Sequence, residues 1–208
     1  MQAREILQIS KIIPVITIHD AKTSIDLARA LVHGGIKVLE ITLRTKEALE
    51  AIKILSKEVP EATVGAGTVL NAKMLEEVKH AGAKFAISPG LTPTFAKEAK
   101  NINLTLIPGV STASELMLAL EFGYKDLKFF PAEAAGGVGM LKSLAAPFHE
   151  VKFCPTGGIS PDNINDYLHL ENVLCVGGSW LSPKELILAK KWDEISQITR
   201  DSLAKITK

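Results

Sequence analysis

Short apolar, β-branched runs alternate with longer amphipathic stretches along almost the whole chain, and this alternation restricts the fold more than any other feature. Many of the amphipathic stretches are followed at once by a chain-reversing glycine, as at Gly34, Gly82 and Gly123. Apolar strands that are each followed by a helix are typical of a parallel sheet covered by helices. The eight predicted strands are 12–18, 38–43, 62–66, 84–87, 104–107, 127–130, 151–154 and 173–176.

Eight strand–helix units favour a closed (β/α)8 TIM barrel over a doubly wound sheet, which at this length usually has about five or six strands. At 208 residues the chain is short for such a barrel, so short connections are expected. We find no linker or break in composition, which predicts a single domain over 1–208 with an additional N-terminal helix within 1–10. The other predicted helices are 21–33, 46–58, 72–81, 93–100, 114–122, 139–145, 162–168 and 192–206.

Charge and cysteine content argue against several classes of function. The chain has 24 Lys and Arg against 23 Asp and Glu, so no nucleic-acid partner is expected and an anionic ligand must be bound locally. Cys154 and Cys175 lie in apolar segments and are too few for a disulfide scaffold, so we expect reduced core residues. The apolar run 12–18 is too short to span a membrane. A cytoplasmic protein with no membrane partner is therefore expected.

The second predicted strand carries three polar side chains on one face. A period of two places Glu40, Thr42 and Arg44 together, opposite the apolar residues between them. In a barrel these groups point inward and towards the carboxyl end of the strand, where barrel enzymes have their active sites. A purely structural ion pair is the alternative explanation, because buried charges are usually paired.

Lys128 lies in the middle of the sixth predicted strand, between apolar neighbours. Burial disfavours the charged form of an amine, which is one way in which a lysine becomes nucleophilic near neutral pH. The alternative is a lysine on the outer face whose ammonium reaches water beneath a helix.

Small residues follow several strands. Gly65–Thr68 and Ser88–Gly90 indicate places where the backbone approaches another group closely. The last two strands end in Thr156-Gly157-Gly158 and in Gly177-Gly178-Ser179. Barrels commonly bind phosphate at these two positions, through bare backbone N–H groups and a helix N-terminus. We therefore predict a phosphate site formed by both segments, with the Ser179 hydroxyl beside it.

A buried amine, a carboxylate, an arginine and a phosphate cradle together indicate covalent chemistry on a phosphorylated carbonyl compound. Six ordered segments extend this pattern: Val38–Arg44, Gly65–Thr68, Ile87–Gly90, Ile107–Thr112, Lys128–Glu133 and Pro155–Ile159. Together they resemble the 2-keto-3-deoxy-6-phosphogluconate (KDPG) aldolase family, whose members often also cleave 4-hydroxy-2-oxoglutarate. The resemblance extends from about Ile13 to Trp180.

The resemblance implies a homotrimeric, metal-independent class I aldolase without a cofactor. The expected reactions are cleavage of KDPG to pyruvate and glyceraldehyde 3-phosphate, and of 4-hydroxy-2-oxoglutarate to pyruvate and glyoxylate. Lys128 is expected to form the Schiff base and Glu40 to act as general base. Arg44, Thr68 and the backbone at Pro89 are expected to hold the substrate carboxylate, with Phe130 beside the imine.

Other functions stay open at this point. The galactonate-derived epimer of KDPG differs at one carbon, and the sequence does not decide between the two substrates. A metal-dependent aldolase is disfavoured because the five histidines, at 19, 33, 80, 149 and 169, lack ligand spacing. A phosphosugar isomerase that uses Glu40, or a phosphosugar-binding barrel without catalysis, needs no buried Lys128.

Overall fold

The computed structural model describes residues 1–207, in which parallel strands alternate with helices. The strands are β1 (Ile12–Ile16), β2 (Val38–Thr42), β3 (Thr63–Gly67), β4 (Phe85–Ile87), β5 (Thr105–Ile107), β6 (Gly109–Val110), β7 (Asp126–Phe129), β8 (Lys152–Pro155) and β9 (Val176–Gly178). The helices are α1 (Ala3–Ile9), α2 (Ser24–His33), α3 (Ala48–Glu58), α4 (Ala72–His80), α5 (Pro93–Ala99), α6 (Ala113–Glu121), α7 (Gly137–Ala145), α8 (Ile164–Leu168), α9 (Lys184–Leu188) and α10 (Trp192–Ala204). A 3-10 turn, Ala21–Thr23, precedes α2.

The last predicted strand is misplaced, whereas the others agree with the structure apart from their ends. The sequence predicts a strand over 173–176, but β9 begins at Val176 and continues through Gly178. Backbone pairing with β1, as in Ile13 with Gly177, holds both glycines in the extended ladder. Gly177 and Gly178 therefore belong to the strand and not to the loop after it. Helix α9 and the two-residue strand β6 are not predicted by the sequence pattern.

Hydrogen bonds join the strands into two parallel sheets. One has the order β5-β4-β3-β2-β1-β9, and the other has the order β6-β7-β8. Pro108 separates β5 from β6, and because proline has no N–H it cannot donate to a ladder at this point. Isolated bridges, Phe153 with Val173 and Thr156 with Gly177, lie between β8 and the β9 segment. The predicted parallel α/β class is confirmed, but the ladders do not form one continuous eight-stranded sheet.

Helix α1 packs at the amino-terminal end of the strands. The Arg4 guanidinium pairs with Asp126, the first residue of β7, and the Thr105 hydroxyl at the start of β5 donates to the carbonyl of Met1. Ile6 and Leu7 are completely buried, and such burial contributes roughly 1.5–3 kcal/mol for each side chain. The opposite end, where the strands finish, stays available for a site. The inner cluster that α1 covers contains Ile6, Leu7, Ile13, Val38, Phe85, Ile87, Ile107, Cys154 and Cys175.

Within residues 1–207, no helix combines the length and the apolar character needed to cross a membrane.

Candidate active site

Glu40 and Lys128 meet in the interior between the two sheets. Glu40 is in the middle of β2 and 1% exposed, and Lys128 is in β7 and 5% exposed. The Lys128 Nζ lies 3.3 Å from the Glu40 Oε1, although the residues are 88 positions apart in the chain. The inward direction predicted for Glu40 is confirmed. The alternative of a lysine that reaches solvent on the outer face is wrong.

Two glycines of β3 make room for buried side chains, and one of these belongs to the charged pair. A Cβ on Gly67 would collide with the carboxylate of Glu40, and a Cβ on Gly65 would collide with the ring of Phe85. The close approach predicted for this segment therefore occurs, and the approaching groups are side chains. Any larger residue at Gly67 would displace the carboxylate from Lys128.

The pair combines a nucleophile with a proton acceptor inside the protein. Removing two charges from water is costly, and only their close mutual contact offsets that cost. The Phe130 ring centroid lies 5.1 Å from the Lys128 Nζ, on the side of the amine towards the strand end. Proton transfer from Lys128 to Glu40 would leave a free lone pair on nitrogen next to an aromatic wall. That arrangement suits attack on a carbonyl carbon.

A cavity of 180 Å³ opens beyond this pair, at the carboxyl ends of the strands. It is lined by Arg44 and Phe130 and by residues of the loop after β8 and of the β9 segment. Val15 and Ile159 also line it. The sequence does not single out these two residues, because apolar residues in a strand or loop carry no signal for a site. The predicted binding residues that the structure brings together here are Arg44, Phe130, Thr156, Gly157, Gly158, Gly177, Gly178 and Ser179.

The loop after β8 has a backbone conformation that favours glycine. Gly157 and Gly158 have φ values of 102° and 81°, in the left-handed region that L side chains rarely adopt. The predicted contribution of a helix N-terminus to anion binding is weak, because α8 begins only at Ile164 and has five residues. The loop is braced by Asn163, whose side-chain amide donates to the carbonyl of Gly158 at 3.1 Å. The loop backbone itself is therefore the main feature available to an anion.

Thr68 and Pro89 lie in the neighbouring loops, outside the set that lines the 180 Å³ cavity. Thr68 follows β3 with a φ of 60°, a conformation that is rare for a β-branched residue and costs on the order of 1–3 kcal/mol. The carbonyl of Pro89 packs against Gly109, and Gly109 pairs with Lys128 across β6 and β7. Pro89 is thus linked to the Lys128 strand, and Thr68 directly follows Gly67, which borders Glu40.

The cysteines belong to the inner cluster. Cys154 and Cys175 are both buried and free, in agreement with their prediction as core residues. Burial, together with the neighbouring Cys154, raises the pKa of the Cys175 thiol well above its ordinary value. Over residues 1–207, no three His, Cys, Asp or Glu side chains are grouped closely enough to hold a metal ion.

Comparison with known proteins gives matches over nearly the full chain. Residues 3–198 match the family model described as KDPG and KHG aldolase. The KHG/KDPG aldolase of Escherichia coli K12 is 53% identical over 201 residues, which cover 97% of this chain and 94% of that protein. The 2-dehydro-3-deoxy-phosphogluconate aldolase of Pseudoalteromonas atlantica is 49% identical over 204 residues, with 98% and 95% covered.

A solved structure gives the same result for the fold. The crystal structure of KDPG aldolase from Legionella pneumophila superimposes with a TM-score of 0.95 at 45% identity, and 98% of each chain is covered. In that structure, pyruvate is captured at low pH as a covalent carbinolamine intermediate.

Proposed function

The chain belongs to the KDPG and KHG aldolase family, and from this membership we propose that it cleaves KDPG to pyruvate and glyceraldehyde 3-phosphate. It also cleaves 4-hydroxy-2-oxoglutarate to pyruvate and glyoxylate. The observation that carries the proposal is the buried Lys128 amine at 3.3 Å from the Glu40 carboxylate. A nucleophile and a base within hydrogen-bond reach are what a Schiff-base aldolase requires.

In the first step, the Lys128 amine attacks C2 of the 2-oxo acid after its extra proton has passed to Glu40. The carbonyl oxygen takes up a proton, which gives a carbinolamine. Loss of water from this carbinolamine leaves a protonated Schiff base. The positive nitrogen then attracts electrons from the neighbouring carbon framework.

In the second step, Glu40 accepts the proton of the C4 hydroxyl and the C3–C4 bond breaks. The electron pair of that bond moves to C3 and onto the iminium nitrogen as an enamine, while C4 leaves as the aldehyde. Protonation at C3 and addition of water to C2 release pyruvate and restore the free amine. Glu40 thus gives and takes the protons for both halves of the reaction.

Arg44, Thr68 and the backbone at Pro89 hold the substrate carboxylate in this proposal. A guanidinium presents paired N–H donors that suit a planar carboxylate. Phe130 covers the imine and excludes water from it, and its ring near the Lys128 Nζ supports this role.

The phosphate of KDPG is placed at the other end of the cavity. Gly157, Gly158 and Gly178 offer backbone N–H groups at the strand ends, and Thr156 and Ser179 offer hydroxyls. This placement is supported by the cavity that these residues share with Arg44 and Phe130. Gly177 lies opposite Thr156, and a side chain at Gly177 would collide with the Thr156 hydroxyl.

We also propose the finer architecture that the sequence indicates. The two sheets are halves of one (β/α)8 barrel, which is supported by the side-chain contact between β2 and β7 and by the bridges between β8 and the β9 segment. The barrel forms a single domain over 1–208, of which Lys208 lies outside the described residues. Homotrimer formation rests on the family resemblance alone.

Rates of pyruvate formation from KDPG, from its galactonate epimer and from 4-hydroxy-2-oxoglutarate test the proposal. We expect turnover of KDPG and of 4-hydroxy-2-oxoglutarate, with KDPG favoured over its epimer. Faster turnover of the epimer would assign the chain to that substrate instead. Absence of pyruvate from all three would favour an isomerase or a binding protein.

Gly158→Val is expected to lower kcat/KM for KDPG by about 10²-fold or more, since a displacement of roughly 1 Å is sufficient for such a loss. The new Cβ would lie only 2.5 Å from the Cγ of Glu133. Valine is also strained at the φ of 81° that Gly158 adopts. The 4-hydroxy-2-oxoglutarate rate should fall much less, because that substrate has no phosphate to position.

Gly123→Val is the matched control for the glycine replacement. Gly123 also has a positive φ, of 87°, but a Cβ there meets nothing within 4 Å and the residue precedes β7 at the opposite end of the strand. This variant carries the same kind of backbone strain without obstruction of the cavity. Equal losses of activity on both substrates in Gly158→Val would mean that the phosphate binds elsewhere in the protein.

A further inference from the structure

Glu133 and Tyr167 form a hydrogen bond next to the proposed phosphate site, and the reaction described above uses neither residue. Tyr167 is on α8 and its side chain is completely buried, whereas Glu133 is in the exposed turn between β7 and α7. The Tyr167 hydroxyl donates to the Oε1 of Glu133. A buried tyrosine hydroxyl needs a partner, and this one has a carboxylate from a different loop.

The turn that carries Glu133 lies directly on the loop after β8. The N–H of Ala132 donates to the carbonyl of Thr156 at 2.8 Å, and the N–H of Glu133 donates to the carbonyl of Gly157 at 3.0 Å. The Cβ and Cγ of Glu133 also fill the space where a side chain on Gly158 would be. The stem of Glu133 is thus in contact with the phosphate-binding glycines.

The carboxylate itself points to the other side of this loop. Glu133 lines a separate cavity of 390 Å³, together with Gly136, Gly137, Asn163, Asp166 and Tyr167. A rotation about the side-chain bonds would bring the carboxylate towards Gly158. There it would repel a phosphate dianion and compete for the same backbone donors, because carboxylate and phosphate accept similar hydrogen bonds.

We infer that Tyr167 is a positioning residue, which holds the Glu133 carboxylate away from Gly157 and Gly158 and so keeps the phosphate site open. The inference rests on the proposed function for the identity of the phosphorylated substrate. The hydrogen bond between Tyr167 and Glu133 therefore affects substrate specificity. It favours binding of phosphorylated substrates and does not affect binding of unphosphorylated ones.

The raised pKa of Tyr167 supports its role as the hydrogen-bond donor to Glu133. Burial raises the pKa of Tyr167 above its ordinary value, and the hydrogen bond to Glu133 raises it further. With its pKa raised above the ordinary value, the Tyr167 hydroxyl keeps its proton at neutral pH and can donate it to Glu133.

Tyr167→Phe removes the hydroxyl and leaves the buried ring. We expect kcat/KM for KDPG to fall about tenfold, since a like charge then has access to the phosphate at short range. The 4-hydroxy-2-oxoglutarate rate should not change. Tyr124→Phe is the matched control, because Tyr124 is the other tyrosine of the chain and lies just before β7, away from the cavity.

A second substitution separates electrostatics from a loss of packing. Glu133→Gln in the Tyr167→Phe background removes the charge and should restore most of the KDPG activity. A merely structural contact predicts the opposite, a double variant as impaired as the single one or more so. Equal losses on both substrates in Tyr167→Phe, or no loss on either, would also overturn the inference.

Glu133→Gln alone gives a test that does not depend on the folding of Tyr167→Phe. The amide oxygen still accepts from Tyr167, so binding of inorganic phosphate, followed by ³¹P NMR titration, should be as tight as in the parent protein or tighter. Weaker binding would contradict an adverse charge. The same titration on Tyr167→Phe tests the inference even if the parent enzyme fails to cleave KDPG, so the two failures are distinguishable.

Discussion

Lys128→Met is expected to reduce turnover of KDPG and of 4-hydroxy-2-oxoglutarate by at least about 10⁴-fold, as loss of a covalent nucleophile does in other enzymes. Methionine keeps the length and apolar stem of lysine and removes only the amine. Steady-state rates of pyruvate release on both substrates measure the effect. The loss should be equal for both, because Schiff-base formation precedes any difference between the leaving aldehydes.

The same substitution should also destabilise the protein. It leaves the Glu40 carboxylate, which is 1% exposed, without its partner, and breaking a buried pair in this way costs roughly 3–5 kcal/mol. The double variant Lys128→Met with Glu40→Gln should recover much of the lost melting temperature and none of the activity. Normal turnover in a folded Lys128→Met variant would exclude the proposed nucleophile.

Glu40→Gln is expected to lower kcat by about 10²–10⁴-fold, the usual effect of removing a general base. Glutamine is nearly isosteric and still fits the space above Gly67, so substrate binding should change little. Stopped-flow measurement of pyruvate release at saturating substrate reports kcat directly. A rate equal to that of the parent would mean that another group handles the proton.

Arg44→Ala is the comparison for this kinetic pattern. Arg44 is exposed at the end of β2 and lines the cavity, so its removal should mainly raise KM for both substrates. Glu133 lies five residues after Lys128 in the sequence and is the next carboxylate to consider as the base. Its carboxylate points into a different cavity, towards Tyr167, which argues against that role.

The sequence was sufficient for the parallel α/β class because burial on both faces produces long apolar runs that are easy to recognise. The predicted end of the last strand at residue 176 is wrong, because β9 includes Gly177 and Gly178. Glycine carries no strand signal of its own, and these two residues are extended only because β1 pairs with them. The sequence does show Pro108, which has no N–H to donate, but it does not show that β5 pairs with β4 while β6 pairs with β7.

The catalytic pair could be predicted because charged residues in mid-strand are costly and therefore informative. Glu40 and Lys128 stand out against apolar neighbours, although only the structure shows that they meet across 88 residues. Tyr167 gave no such signal, because an aromatic residue in a helix usually belongs to the core. The sequence also does not show why residue 67 is a glycine. A side chain at this position would occupy the space of the Glu40 carboxylate.

Trapping of the covalent intermediate tests the central claim most directly. The protein is incubated with pyruvate, reduced with borohydride, digested and analysed by peptide mass mapping. We predict a carboxyethyl group on Lys128, and its loss in Lys128→Met. An adduct on a different lysine, or full activity with no adduct at all, would contradict the account.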